Sequence, residues 1–301
     1  LDGSSVNDEA CTCGSSVCDS TTGLFCLAAS NFCQKEKIMW CAVKPSSGNY
    51  TMPRGSEPCV LSTPVVVTSS LAVASGSGDG SMAIISGNLG TQLFDVEGDL
   101  TLTDLILEKG KDEWGGGFGV VSGRMHLLRS IVRLCKATSS AGAGYVQGGA
   151  VLTLEGSTLE SNTARGMYGG GIVAFSGSKI QVRGGLKTSI SNNKVTGSSG
   201  KGGGIFLQDA SSLEVSGAGT QLLIDGNTAQ QSGGGVYATI ASTITASSGC
   251  RVEVTNNEAK DGGGGFYLAN AGTRLDVYDS NSRLLVNNNV AKEKIGGGIA
   301  L

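Results

Sequence analysis

The stretch 254-VTNNEAKDGGGGFYL-268 decides the fold. Val254 is followed three places on by Asn257, then by Ala259, a run of glycines and a short apolar segment. A glycine run can cradle a phosphate, or it can be one corner of a repeat. Spacing separates the two. Glycine-containing runs precede Phe118, Val151, Ile172, Ile205, Val236, Phe266 and Ile299, at intervals of 33, 21, 33, 31, 30 and 33 residues. Before the runs stands an apolar-x-x-Asn element, at Leu159–Asn162, Ile190–Asn193, Ile224–Asn227, Val254–Asn257 and Val286–Asn289. Val132–Cys135 holds the same place one repeat earlier, with Cys for Asn. Two residues further on come Ala137, Ala164, Val195, Ala229, Ala259 and Ala291. A feature repeated this often is architecture, and no G-x-G-x-x-G or Walker-type sequence accompanies it.

Between these markers lie three strand-like pieces per repeat. The first follows the glycines (IVAF, IFLQ, VYAT, FYLA), the second comes eight or nine residues later (KIQV, SLEV, TITA, RLDV), and the third leads into the Asn (TSIS, LLID, VEVT, LLVN). Alternating β-branched residues bounded by Gly, Ser, Asn and Asp are strand and turn chemistry, and no 3.6-residue period competes. A single coil cannot bury its apolar face, whereas a stack can. The expected fold is all-β: a right-handed parallel β-helix of three-strand coils, about 7–8 rungs by the spacing of the repeats. Asn162, Asn193, Asn227, Asn257 and Asn289 are expected to stack as a ladder. The 21-residue interval from Val151 reads as a minimal coil. Upstream, 81–85, 91–96 and 100–107 read as one more coil with weaker corners.

The apolar-x-x-Asn element followed by Gly-Gly-small-apolar resembles the repeats of polymorphic outer membrane proteins and related adhesin passengers, within the pectin-lyase-like β-helix superfamily. The resemblance covers roughly residues 100–301, with Gly standing where the family often has Ala. It implies the β-helix and a surface setting. It leaves function open, because that fold also carries lyases, glycosidases, tailspikes and structural proteins.

The remaining composition narrows the function classes. Net charge is −3 with no Lys/Arg cluster, which argues against nucleic acid. The longest apolar run, 60-VLSTPVVVTSSLAVA-74, is too short and hydroxylic to span a bilayer. Seven of nine cysteines (Cys11, Cys13, Cys18, Cys26, Cys33, Cys41 and Cys59) crowd residues 11–59, a density that implies disulfides and an oxidising compartment. Residues 1–44 are therefore expected to be a disulfide module, and 65–301 the β-helix. Residues 45–64, which contain Pro45, Pro53, Pro58 and Pro64, are expected to be a connector or cap. Asn49-Tyr50-Thr51 is an N-glycosylation sequon. Cys135 and Cys250 lie about four coils, roughly 19 Å, apart and should not pair with each other. The chain opens at Leu1 and stops at Leu301 within a strand-like piece, and is expected to be a window on a longer, processed protein.

No catalytic, metal-binding or cofactor-binding constellation emerges. Gln181, Glu214, Thr245 and Asp276 should stack outward on the second strands, setting Glu214 and Asp276 two coils apart, about 9.6 Å. That is the far edge of the separation used by inverting glycosidases, but the neighbours are Ser, Gln and Thr. His126 stands alone. The first strands are more suggestive. If Ile205, Val236 and Phe266 point inward, then Phe206, Tyr237 and Tyr267 climb one outer face. Such a row could meet sugar rings or a partner protein, or be covered by a loop from the glycine corner. The expected protein is an extracellular or cell-surface stalk that assembles or adheres, in a wall, sheath, filament or appendage. Its expected partners are further copies, other surface proteins or glycans. The alternatives are a polysaccharide-binding or polysaccharide-degrading β-helix, and an autotransported adhesin passenger.

Overall fold

The side-chain period of a strand is two, so every coil of a solenoid sends alternate residues inward onto the coils above and below. In the computed structural model this produces three parallel sheets of nine strands each and a fourth of seven. The first sheet runs from Val65–Val67 and Phe94–Val96 to Ile299–Ala300, the second from Gly48–Met52 to Arg274–Val277, and the third from Cys59–Val60 to Arg283–Asn287. The structure describes the backbone of Cys11–Cys13, Ser16–Cys18, Phe25–Leu27 and Phe32–Gln34, then residues 41, 44–52, 54, 57–76, 81–294 and 296–301. The chain is a parallel β-solenoid of about eight coils.

Register aligns the apolar residue that begins each Asn element. Cys59, Ile85, Leu107, Val132, Leu159, Ile190, Ile224, Val254 and Val286 pair in succession along the third sheet. All but Val286 are buried in the one core that runs the length of the solenoid. Strands Gly48–Met52 and Cys59–Val60, within the stretch expected as connector or cap, are the terminal strands of the second and third sheets.

The coil has one strand more than the three expected. The two residues after each ladder position form short strands such as Thr163–Ala164, Lys194–Val195 and Thr228–Ala229, which stack as the fourth sheet. The recurrent Ala is the inward residue of that strand, and Ala137, Ala164, Val195 and Ala229 pack as a separate small cluster.

One repeat boundary also moves. The partner of Phe118 and Ile172 on the first sheet is Gly144, not Val151, so the two coils there are 26 and 28 residues long and the 21-residue coil does not exist. Val151 instead opens a strand of the second sheet. Gly144 escapes an apolar search because Phe118 occupies its side-chain space: a Cβ on Gly144 would lie 2.2 Å from the Phe118 ring. Segments 81–85, 91–96 and 100–107 do form strands, but they belong to two successive coils.

Three corners are held by buried polar side chains. At the Asn corner, each amide Nδ2 donates to a backbone carbonyl one coil back and, in all but the terminal Asn289, to the Oδ1 of the next Asn. Asn193 Nδ2, for example, reaches Leu159 O at 3.0 Å and Asn227 Oδ1 at 3.1 Å. Each Oδ1 also accepts the backbone N–H of the preceding Asn, from Asn162 through Asn289. Cys135 heads this ladder, its N–H donating to Asn162 Oδ1 at 3.0 Å. Ser178, Ser211, Ser242 and Thr273 hold a second corner by donating to a carbonyl three or four residues earlier. Ser130 and Ser157 hold a third by donating to carbonyls of the coil before. Cys250 occupies that third corner, its thiol 3.4 Å from Val215 O.

Both Cys135 and Cys250 are free and buried. Burial pushes the Cys135 thiol up to about 12, so it acts as a small apolar group and not as a nucleophile. Cys41 and Cys59 form a disulfide with Cα atoms 5.5 Å apart. Backbone register sets Cys11 opposite Cys18 and Cys26 opposite Cys33, and the side chains of Cys11, Cys13, Cys18, Cys26 and Cys33 lie outside the described residues. The Cys41–Cys59 bond closes a sequence separation of 18, for which loop-closure entropy gives about 3 kcal/mol. Replacing both cysteines with serine should lower the guanidinium midpoint of the first coils accordingly. An unchanged midpoint would show that the bond does not brace this end.

Candidate functional site: an aromatic ridge and two clefts

On the outer face of the first sheet, Tyr145, Val173, Phe206, Tyr237, Tyr267 and Ala300 stand in register on successive coils. The rings stack as a ladder. Phe206 and Tyr237 lie 5.3 Å apart with planes 6° from parallel, and Tyr237 and Tyr267 lie 5.2 Å apart at 2°. Parallel pairing forces this, because in-register residues on adjacent strands sit about 4.8 Å apart. Offset stacking of this kind contributes about 0.5–1.5 kcal/mol per pair beyond burial.

The ridge is not the open face that its outward position suggests. Phe206 is 1% exposed and Tyr237 7%. The excursions that leave the fourth sheet on the way to the glycine corners fold over it. Tyr168 and Lys201 are bridged in register there. Tyr168 lies 4.3 Å from Phe206, and Lys201 Nζ sits 5.2 Å from the Tyr237 ring centre. Burial, with smaller contributions from Tyr267 and Tyr168, pushes the Tyr237 phenol above its ordinary value. Phe175, from the next corner, touches Phe206, Tyr168 and Trp114 at 5.9, 6.1 and 6.1 Å. Tyr267 stays half-buried. Tyr168, Phe175, Trp114 and Lys201 were missed in the sequence because none belongs to the outward row of the first strands: Tyr168 and Lys201 stand directly before a glycine run, Phe175 directly follows the strand Ile172–Ala174, and Trp114 ends the fourth-sheet strand Lys111–Trp114. The in-register placement of Tyr168 one coil before Lys201 was the available signal.

Two clefts flank the covered ridge. The first, about 540 Å³, lies on the N-terminal side. Its walls are Trp114, Tyr145 and Phe175, and Asp112, Glu113 and Asp209 stand around it. Gly119 replaces the ridge residue at this level, and the Tyr145 ring lies over it: a Cβ there would be 2.6 Å from Tyr145 Cε1. Burial, then Asp95 and Asp112, raise the Tyr145 phenol above its ordinary range. Asp95, one coil below Gly119, is likewise raised, by burial and then by Glu97 and Asp112. The second cleft, about 260 Å³, is lined by Tyr237, Tyr267, Lys201, Lys294 and Asp261. Lys294 pairs with Asp261 at 3.2 Å.

The carboxylates singled out in the sequence occupy the outer face of the second sheet. Gln181, Glu214, Thr245 and Asp276 are in register there, so Glu214 and Asp276 are two coils apart. Burial alone would raise the Glu214 carboxyl. Hydrogen bonds from Gln181 and Ser212, with Lys179 3.4 Å away, outweigh burial and hold it below its ordinary value. Asp276 pairs with Arg274 at 2.8 Å. A glycosidase acid needs a raised pKa to be protonated at work, and Glu214 is shifted the other way. His126 Nε2 sits 3.4 Å from Glu155 without hydrogen-bond geometry, and burial, against the pull of Glu155, depresses its pKa. Asn49 is exposed on the terminal strand Gly48–Met52. Among the described residues no three His, Cys, Asp or Glu side chains are grouped to hold a metal ion.

No curated protein and no solved structure matches the chain. One coil does carry a family signature. Residues 221–239, which hold the ladder residue Asn227, the corner Gly233–Gly235 and the ridge residue Tyr237, are similar to the Chlamydia polymorphic membrane protein repeat.

Proposed function

We propose that this chain is the β-helical stalk of a passenger-type surface protein, which adheres or assembles through its lateral faces. The observation that carries the reading is the position of the family match. Residues 221–239 comprise the third-sheet strand Gln221–Asp225, one Asn corner, one glycine corner and the first-sheet strand Val236–Thr239 that follows it. The same unit recurs in register in the neighbouring coils. A similarity confined to one repeat therefore speaks for the stack built from that repeat. Disulfide Cys41–Cys59 fits an oxidising setting outside the cytosol. Among the described residues no helix is long and apolar enough to cross a membrane.

Lateral contact is favoured over chemistry by the state of the outer faces. On the second sheet Glu214, Glu155 and Asp276 are paired with Lys179, Arg183 and Arg274, whereas the first sheet presents two clefts beside an ordered aromatic ridge. Labelling intact cells with a membrane-impermeant amine reagent tests the location. The exposed lysines Lys136 and Lys194 should be modified without lysis, at a level matching an established surface marker. Modification only after lysis would overturn the surface assignment.

A further inference from the structure

The first cleft has a chemistry of its own. Asp112, Glu113 and Asp209 surround about 540 Å³ of space, and none of the residues lining it is basic. Among the described residues, no Lys or Arg forms an ion pair with any of the three or with nearby Asp95. Their hydrogen bonds are local: Asp112 Oδ1 accepts from Glu113 N at 2.7 Å, and Asp209 Oδ2 from Gln208 Nε2 at 3.1 Å. The carboxylates do not converge as metal ligands would; they are spread between aromatic walls. A hard cation wants several oxygens at one point, whereas an organic cation wants distributed negative charge and ring faces.

The second cleft shows this same chemistry already satisfied. There the chain sets its own ammonium, Lys201, over the face of Tyr237, and Lys294 against Asp261. The register partner of Lys201 one coil earlier is Tyr168. In the N-terminal cleft the lining residues among those described thus supply rings and carboxylates and no cation. Anions are repelled from such a site. A neutral sugar would stack on the rings but leave the uncompensated potential unused.

We propose that the cleft bounded by Trp114, Tyr145, Phe175, Asp112, Glu113 and Asp209 binds an organic cation, a protonated amine or guanidinium on an aliphatic stem. The stem lies along the aromatic walls and the charge faces the carboxylates. A free polyamine and the Lys or Arg side chain of a partner polypeptide both present this group. The inference rests on the cleft and not on the surface assignment, so either can fail without the other.

Calorimetric titration of the purified chain tests it, with spermidine, with a short arginine-containing peptide, and with N-acetylglucosamine as the neutral control. Both cations should bind at one site, and the sugar should not. Binding should weaken at least tenfold in Asp112→Asn/Asp209→Asn and in Trp114→Leu. It should be unchanged in the charge-matched control Asp99→Asn/Glu160→Gln. Tighter binding of the peptide than of spermidine assigns the site to a protein partner; the reverse assigns it to a free amine. Equal loss in the control and cleft variants, binding insensitive to all of them, or a preference for the sugar would each overturn the proposal. Near-unchanged circular dichroism and melting qualify the variants for comparison, and two independent lesions, of charge and of ring, guard against one failing to fold.

Discussion

Replacing Asn227 with alanine is expected to destabilise the chain by about 3–5 kcal/mol, a large effect for one surface-distant amide. Asn227 is fully buried. Its Nδ2 donates to Ile190 O and Asn257 Oδ1, both at 2.9 Å. Its Oδ1 accepts from Asn193 N at 2.9 Å and Asn193 Nδ2 at 3.1 Å. Alanine removes all four bonds and strands the Asn193 N–H where water does not reach. Each buried group left unsatisfied costs about 1–3 kcal/mol. Because coils contact only their neighbours, the damage should localise. Limited proteolysis should cut near residues 193–227 well before the rest of the solenoid, and the denaturation midpoint should fall. A loss under about 1 kcal/mol would mean the ladder is ornamental. Asn227→Asp sharpens the test. An ionised carboxylate can accept from Asn193 but sets bare oxygen against Ile190 O and Asn257 Oδ1, so its folded pKa must rise above the unfolded value. Its contribution is therefore least unfavourable in acid and worsens as pH climbs through the carboxylate range, the opposite of a salt-bridged Asp.

Gly203→Ala is expected to be as damaging, for a different reason. Its φ is not in the left-handed region, so an L-residue could adopt the backbone without strain. The obstacle is space: a Cβ would lie 2.4 Å from Gly234 O and 2.6 Å from both C and N of Thr228. All three are backbone atoms of the next coil and cannot turn aside, so the coils themselves must part. About 3 kcal/mol or more is expected. Gly177→Ala is the control, because Gly177 has φ +72° but nothing within 4 Å of an added Cβ. It should cost only the left-handed penalty of about 1–2 kcal/mol. Equal thermal shifts for the two would show that conformational freedom, and not close approach, is what the corner glycines supply. Within this run Gly202 carries φ +68°, whereas Gly203 and Gly204 both admit the neighbouring backbone: a Cβ on Gly204 would lie 2.7 Å from Gly235 O and 3.1 Å from the Asn227 amide.

The parts of the architecture that repeat in sequence were readable because a solenoid imposes the same environment on every coil. Val254 and Asn257 must meet the same neighbours as Ile224 and Asn227, so the side chains that suit one suit the next. The fourth strand was overlooked because two residues cannot display a period; the recurrent Ala at 164, 229 and 259 was its only trace. The coil containing Gly144 was misaligned because its inward apolar atoms belong to Phe118 of the coil before. A pattern read along one chain segment cannot see a ring supplied by another.

By itself, the order of residues determined that this chain stacks short strands into parallel sheets and, where the Asn and glycine elements repeat regularly, which residues face inward and where the corners turn. Those are consequences of side-chain period and of glycine and asparagine chemistry, both local. Only the tertiary structure decided which outward residues meet water. Phe206 and Tyr237 face outward by alternation yet are buried, since Tyr168 and Lys201 arrive from excursions more than thirty residues away in sequence. The acidic cleft is likewise assembled from Asp112, Tyr145, Phe175 and Asp209, which belong to different coils and share no motif. Burial and electrostatic potential depend on everything nearby in space, and neighbours in space are what a linear pattern leaves out.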